Sequence, residues 1–277
     1  MEVFYLGTHR PAWLGDCPVP LFVSDTTLRQ RRRLPRAVCR WALDSGGFSQ
    51  LTRSGSWADG PTPRQYAARI RRYADEIGGL DWASAQDWMC EPPMLARTGL
   101  DIRSHQHLTV INYLELTTID PGLPIVPAVQ GWRPGDYLDC VDLYARYDVD
   151  LRTLPLVAVG SLCRRQGTAE AETIVDLLHR HGLLRLHTYG VKTLGLARFA
   201  DRITSSDSLA WSRTARHQPP LPGCTHRGHC GNCRRFALRW RTSLLRKTPL
   251  SRPPRPTPSP DHLTTQPSPM TNPSEKR

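Results

Sequence analysis

The chain alternates short apolar runs with stretches in which apolar residues return every three or four positions. The runs are VFYLG (3–7), LFVS (21–24), WALDSG (41–46), DWASAQD (81–87), IVPAVQGW (125–132), LPLVAVGS (154–161), LHTYGVK (186–192) and ITSSDS (203–208). They are short, rich in β-branched, aromatic and small residues, and several close on Gly, Asp, Ser or Gln, which reads as buried strands. Between them, PRQYAARIRRYADEIG (63–78) places Tyr66, Ile70, Tyr73 and Ile77 on one helical face. AEAETIVDLLHRHG (169–182) begins acidic, ends basic and stops at Gly182, the polarity that a helix dipole favours. Eight such strands alternating with helices predict a parallel α/β fold, a (β/α)8 TIM-type barrel, with a doubly wound open sheet as the alternative. No GxGxxG or Walker-type loop is present, which argues against nucleotide binding of those kinds.

The pattern changes twice towards the C-terminus. From Thr248 onward the sequence is dominated by Pro, Ser and Thr with little to bury, which predicts a disordered tail. The expected organisation is a barrel over 1–216, a basic segment over 217–247 packed on it, and a tail over 248–277. No apolar run reaches the roughly 18 residues of a transmembrane helix. The opening MEVFYLGTHR lacks the basic start and long apolar stretch of a signal peptide, so the expected location is cytoplasmic, without a membrane partner.

Charge sharpens this picture. The formal net charge is +12, and from Ser208 to Pro260 there is no Asp or Glu but eleven Arg and Lys. A second basic tract, RQRRR, spans Arg29 to Arg33. One-signed blocks favour a polyanion such as nucleic acid. Arg213, Arg216, Arg234 and Arg235 are the candidate phosphate contacts. A solvated basic surface, or the arginine bias of a GC-rich genome, is the alternative source of the same pattern.

The eight cysteines divide into two groups. Cys17, Cys39, Cys90, Cys140 and Cys163 are scattered, as small buried hydrophobes are. Cys224, Cys230 and Cys233 cluster in CTHRGHCGNC, where close thiolates on a turn suit a tetrahedral zinc ion. His226 is the favoured fourth ligand, with His229 and His217 as alternatives, and a redox pair or free thiols as the competing reading.

WALDSGGFSQL (41–51) poses the chemical question, because an apolar strand ends on Asp44 and is followed by Ser45, Gly46 and Gly47. Paired glycines permit a tight turn and a close approach of the backbone to a ligand. Asp44 is read either as a functional carboxylate or as a cap of the next helix. Asp87 and Asp207 also end strands, and a barrel would gather all three at one mouth, where carboxylates can serve as nucleophile and proton carrier. His105 and His107 lie in a helical stretch and are at least as well explained by structure as by catalysis.

LDSGGF (43–48) resembles the signature of the queuine/archaeosine-type tRNA-guanine transglycosylases, and the resemblance continues in order. SAQDWMCEP (84–92) stands where that family has a base-recognising Asp. PAVQGW (127–132) resembles its VQGG segment, and VAVGSL (157–162) its glycine-containing strand. In YGVKTLGLARFADRITSSDSLAWSRTAR (189–216), Asp207 precedes Arg216 by nine residues, the spacing of the family's catalytic Asp and Arg. Three departures stand out. The cysteine cluster replaces a C-x-C-x-x-C site with a later His, VQGG reads Gln130-Gly131-Trp132, and PTR reads SRT. These, with the compact length, are closer to the DNA-acting branch, the DpdA family, implicated in replacing guanine in DNA by a 7-deazaguanine.

The resemblance implies a DNA-guanine transglycosylase working through a covalent Asp–sugar intermediate. Asp207 would be the nucleophile and Asp44 the general acid/base. Asp87 would read the N1–H and exocyclic amine of guanine. Gln130 and the backbone at Gly160 would meet its O6 side, with Ser45, Gly131 and Gly190 completing the base-binding set and Trp88 a candidate stacking partner. It also implies a structural Zn2+. The implied partners are DNA, a 7-deazaguanine base such as preQ0, and DNA-modification proteins such as an ATPase. The alternatives are a tRNA-acting enzyme of the queuine type and a catalytically idle, zinc-stabilised nucleic-acid-binding barrel.

Overall fold

The structure, a computed structural model, describes residues 1–226 and 228–248, so the expected tail lies outside the described residues except for Thr248. Nine strands form one sheet: β1 (Val3–Thr8), β2 (Leu21–Ser24), β3 (Trp41–Asp44), β4 (Leu80–Ser84), β5 (Ile125–Val126), β6 (Ala128–Val129), β7 (Val157–Val159), β8 (Leu186–Thr188) and β9 (Ser205–Ser208). All pair in parallel, in the order β5-β4-β3-β2-β1-β9-β8-β7-β6. The two edges, β5 and β6, are halves of one segment separated only by Pro127. The sheet therefore curls round until its edges meet, and the open-sheet alternative is excluded.

The single strand expected over 125–132 is thus two short ones. Pro127 has no N–H to give the ladder. Its carbonyl still accepts from Ala158 N–H (2.9 Å), while the carbonyl of Val126 accepts from Ala85 N–H (3.1 Å) on the other side. The segment joins β4 to β7 by presenting each half to one neighbour.

Ten helices surround the strands among the described residues: α1 (Asp25–Leu28), α2 (Gly47–Ser54), α3 (Pro63–Glu76), α4 (Pro92–Thr98), α5 (Ile102–Ile119), α6 (Pro134–Ala145), α7 (Ala169–Arg180), α8 (Thr193–Phe199), α9 (Ala210–Arg216) and α10 (Arg234–Arg246). The helix stretches read from periodicity correspond to α3 and α7. Thr62 and Gln65 form a capping box ahead of Pro63, and Thr168 caps α7, whose acids lie in the first turn and whose basic residues lie in the last. The face of α3 predicted to be apolar is buried at Tyr66, Ile70 and Tyr73. Tyr73 also donates to the buried carboxylate of Asp25 (2.8 Å), which Arg69 pairs at 2.9 Å. No helix among the described residues is long and apolar enough to cross a membrane.

Strand side chains alternate between two cores, as a filled barrel requires. The interior holds Tyr5, Ala42, Trp82, Val126, Ala128 and Ala158, with Phe22 and Tyr189 against them. The outer layer, under the helices, takes Phe4, Leu6, Trp41, Leu43, Val157 and Val159. Between β1 and β2 there is only a 3-10 turn, Pro11–Gly15. Its Trp13 stacks on Trp211 of α9 at 5.4 Å. Helix α10 covers the same flank: Trp240 lies 6.2 Å from Phe4, and the Arg241 guanidinium donates to the Phe4 carbonyl at 3.1 and 3.2 Å. Thr248, assigned to the tail by composition, is buried, and its hydroxyl donates to the Leu244 carbonyl.

Candidate active site and metal centre

The C-terminal ends of β3 and β9 and the segment after β4 place Asp44, Asp207 and Asp87 at the same end of the barrel. Each carboxylate feels the next. The charge of Asp207 acts on Asp44, and that of Asp44 acts on Asp87. Asp44 is raised from the ordinary carboxylate range, mainly by burial, although the Gly46 N–H and the Ser24 hydroxyl both donate to it. It does not cap α2, whose N-cap is Gly46 with no side-chain cap bond.

The two glycines after Asp44 have separate reasons. Gly46 adopts φ 82°, and a Cβ there would lie 2.6 Å from Thr26 Cγ2. At Gly47 a Cβ would lie 2.9 Å from Asp87 Oδ1. The side chains are stripped so that the turn after β3 can fit under the Asp87 carboxylate. Ser45 beside them is buried, and its hydroxyl has no hydrogen-bond partner among the described residues.

Asp87 is buried and accepts from Gln130 Nε2 at 2.6 Å. Gln130 Oε1 in turn accepts from the Ser161 hydroxyl (2.7 Å), which accepts from Cys90 N–H (2.8 Å). This chain fixes the orientation of the Gln130 amide. A Cβ at Gly160 would lie 2.1 Å from Gln130 Nε2, so Gly160 contributes the space that the amide fills. Its own backbone is engaged: the N–H donates to Val129 (3.0 Å), and the carbonyl accepts from Tyr137 (2.9 Å). Gly131 is pressed on α6, where a Cβ would lie 2.8 Å from that of Asp136.

Burial, followed by the charge of Asp44, pushes Asp87 up to about 7, even though the Gln130 amide favours its ionised form. The stability consequence has a definite sign. A carboxyl raised in the folded state binds more protons folded than unfolded, so its contribution is lost as pH rises. Asp87→Asn is expected to gain on the wild type between about pH 4 and about pH 7, by on the order of 3 kcal/mol at the upper end. Denaturant unfolding across that range reads the gap directly, and a gap that stays constant with pH would contradict the assignment.

Asp207 is buried on β9. Its Oδ1 accepts from Gly190 N–H at 2.9 Å and lies 3.3 Å from His187 Nε2. Gly190 takes φ 66° against Cys163, where a Cβ would lie 2.5 Å from the sulfur. Gly190, expected to touch the base, thus holds the Asp207 carboxylate. His187 was missed by sequence reading, and so was Tyr189, whose hydroxyl donates to Ser84 Oγ at 2.9 Å. Both lie in LHTYGVK two residues apart, so strand alternation gives them one face, and that was the available signal.

Three other candidates make contacts within the fold. His105 is buried between the Met89 carbonyl and the Thr98 hydroxyl, each at 2.7 Å. Trp88 packs with Leu51, Met89 and Met94. His107 lies edge-on to Tyr147 at 5.9 Å.

The Cys/His cluster is gathered beside α9 and α10. Ligand atoms of Cys224, His226, Cys230 and Cys233 all lie within 4.8 Å of one another, and the Cys224 and Cys233 sulfurs are 3.9 Å apart. Tetrahedral thiolates at the usual zinc–sulfur distance stand about 3.8 Å apart, so the set fits a metal ion of that kind. His229 accepts from Gly231 N–H, and neither it nor His217 belongs to the group. Cys233 is the N-cap of α10. Burial there would raise its thiol, but the backbone N–H groups of Phe236 and Arg235 and the His226 ring outweigh it, and the thiol falls to about 7.

Of the candidate phosphate contacts, Arg213, Arg216 and Arg235 are exposed, while Arg234 is in an ion pair with Asp16. Arg239, Arg246 and Lys247 extend the exposed basic face along α10, where they line a cavity of about 460 Å³ with Thr242 and Ser243.

The fold and site define a parallel α/β barrel with three carboxylates at one end, Asp44 feeling the charge of Asp207 and Asp87 that of Asp44, and a metal-competent Cys/His cluster on a basic appendage. The profile of the DpdA family, described as DeoxyPurine in DNA protein A, matches residues 1–258, and the chain belongs to that family. Membership ties it to deazapurine modification of DNA. No curated protein matches the chain.

Proposed function

We propose that this protein is a DNA-guanine transglycosylase that exchanges guanine in DNA for a 7-deazaguanine such as preQ0. The observation that carries the reading is the electrostatic arrangement of the carboxylates. Asp207 accepts from the Gly190 N–H and faces the His187 ring, while Asp44 and Asp87 are both biased towards their neutral forms by burial, Asp44 further by the charge of Asp207 and Asp87 by that of Asp44.

The chemistry uses each group once per half-reaction. An Asp207 oxygen bonds to C1′ as the C1′–N9 bond breaks, and the bonding pair leaves with guanine. The neutral Asp44 carboxyl gives its proton to the departing base, matching its raised affinity for one. The incoming deazaguanine returns a proton from N9 to Asp44 and attacks C1′, and the C1′–O bond electrons return to Asp207. Asp87, once ionised, accepts the N1–H and exocyclic amine of the base, while Gln130 offers its polar edge. Base donors replace the lost hydration of Asp87, which offsets the burial that keeps it protonated in the empty site. The free Ser45 hydroxyl adds one more polar group beside the base.

The Cys224, His226, Cys230 and Cys233 set holds a structural zinc ion that fixes the basic segment on the barrel. Arg213, Arg216 and Arg235, with the exposed face of α10, supply backbone phosphate affinity. The target base reaches the barrel mouth by extrusion or from single-stranded DNA, a step that a partner ATPase would assist. The location expected for this work is cytoplasmic.

The test offers labelled guanine or preQ0 with duplex DNA, single-stranded DNA and tRNA in parallel. Label is expected in DNA. Label entering only tRNA would overturn the substrate while keeping the chemistry, and no exchange with any of the three would favour an idle nucleic-acid-binding barrel.

A further inference from the structure

We infer that His187 is a positioning residue that commits Asp207 to attack through Oδ2. The inference rests on the transglycosylase reading for its chemistry, but on geometry alone for its arrangement. His187 is fully buried inside the barrel. Its ring is walled by Trp82 (4.6 Å), Tyr189 (5.1 Å), Phe22 (5.8 Å) and Tyr5 (6.1 Å). An imidazole in such a cage has few polar neighbours. Nδ1 lies 2.9 Å from the Ser205 hydroxyl, and Nε2 faces Asp207 Oδ1 at 3.3 Å without forming a hydrogen bond to it or to any other described residue.

Only one tautomer satisfies both ends. An ionised carboxylate accepts and cannot donate. Nε2 therefore carries the hydrogen towards Asp207, and Nδ1 accepts from Ser205. The reverse tautomer would set the Nε2 lone pair against Asp207 Oδ1 and leave a buried nitrogen unpaired. The barrel register supports the fixed choice. His187 is opposite Ser205 across the β8–β9 pair, and Asp207 follows Ser205 on the same inward face. At 3.3 Å the contact falls short of a hydrogen bond, and catalytic contacts are often long or poorly aligned before substrate tightens them.

The consequence falls on Asp207. Oδ1 already takes the Gly190 N–H and faces the His187 N–H, whereas Oδ2 accepts no hydrogen bond from a described residue. The oxygen with free lone pairs is the nucleophile. When Oδ2 bonds to C1′ and the C1′–N9 pair leaves with guanine, the ester's carbonyl oxygen is Oδ1, still bonded by the Gly190 N–H and facing the His187 ring. When the second base attacks, the C1′–Oδ2 bond breaks and its electrons return to a carboxylate held in the same orientation.

The test compares His187→Phe, which keeps the ring but removes the donor, with His187→Gln, whose amide N–H replaces it. In base exchange, His187→Phe is expected to lower kcat roughly 30-fold or more, with KM for the free base within about twofold, and to reduce the trapped covalent fraction. His187→Gln is expected to restore most of that loss. An unchanged kcat in His187→Phe, or a His187→Gln variant equally impaired while equally stable, would overturn the inference. A second readout needs no activity: nitrogen NMR of the wild-type imidazole is expected to show a protonated Nε2 whose signal moves in Asp207→Asn. Protonation at Nδ1 instead would sink the arrangement. If the wild type exchanges no base, the functional reading fails and the NMR result still decides the arrangement.

Discussion

Asp207→Asn is expected to reduce base exchange by about 10⁴-fold and to abolish the covalent DNA adduct. The change is conservative in shape. The amide oxygen can still accept from Gly190 N–H, and the variant is expected to unfold within a few degrees of the wild type. What is lost is the nucleophile, because a carboxamide oxygen cannot form a stable ester with C1′ and return its electrons. The measurement pairs a turnover assay with denaturing electrophoresis of protein mixed with DNA. A variant that keeps even a tenth of the activity would remove Asp207 from the nucleophile's role and return the question to Asp44 or Asp87.

Removing the metal from the Cys/His cluster is expected to cost the appendage its fold. No helix or strand lies between α9 and α10 among the described residues, where the four ligands come within 4.8 Å of one another. Structural zinc sites contribute on the order of 10 kcal/mol to small metal-dependent folds. Here α9 and α10 also pack on the barrel, so the loss should show as local rather than global unfolding. Chelation, or Cys233→Ser, is expected to lower the melting temperature and expose the 217–233 stretch to proteolysis. Cys39→Ser, outside the cluster, should do neither. Elemental analysis should find one zinc per chain, and a chelated protein with unchanged proteolysis would show that packing alone holds the segment.

Much of the fold was legible because barrel strands are buried on both faces, and buried parallel strands are short continuous apolar runs. The three aspartates were legible for a related reason: a charge closing an apolar run stands out against what precedes it. The Cys/His set was read from spacing together with the family resemblance, and the structure groups His226, of the three histidines weighed, with the cysteines. Other features depend on three-dimensional neighbours. Gly160 is a glycine on account of the Gln130 amide, thirty residues away in sequence. Gly190 gives its N–H to the Asp207 carboxylate, a partner that its local sequence does not name. His187 sits between Leu186 and Thr188 in a run that looks apolar, and only the barrel interior brings its ring to Asp207. The split at Pro127 was visible as a residue but not as a seam, since nothing local says that one segment serves both edges.

That seam divides the sheet into an arc of five strands, β1–β5, and an arc of four, β6–β9, which meet at Pro127. The first arc brings Asp44 and Asp87; the second brings Gln130, His187 and Asp207. Neither contains a complete site. The 2.6 Å bond from Gln130 to Asp87 crosses between them, as does the β1–β9 pairing that shuts the opposite side. On the proposed transglycosylase reading, base exchange is therefore a reporter of ring closure. A chain severed at the seam would yield two inert fragments whose recovery of base exchange on mixing measures how well the arcs recognise each other.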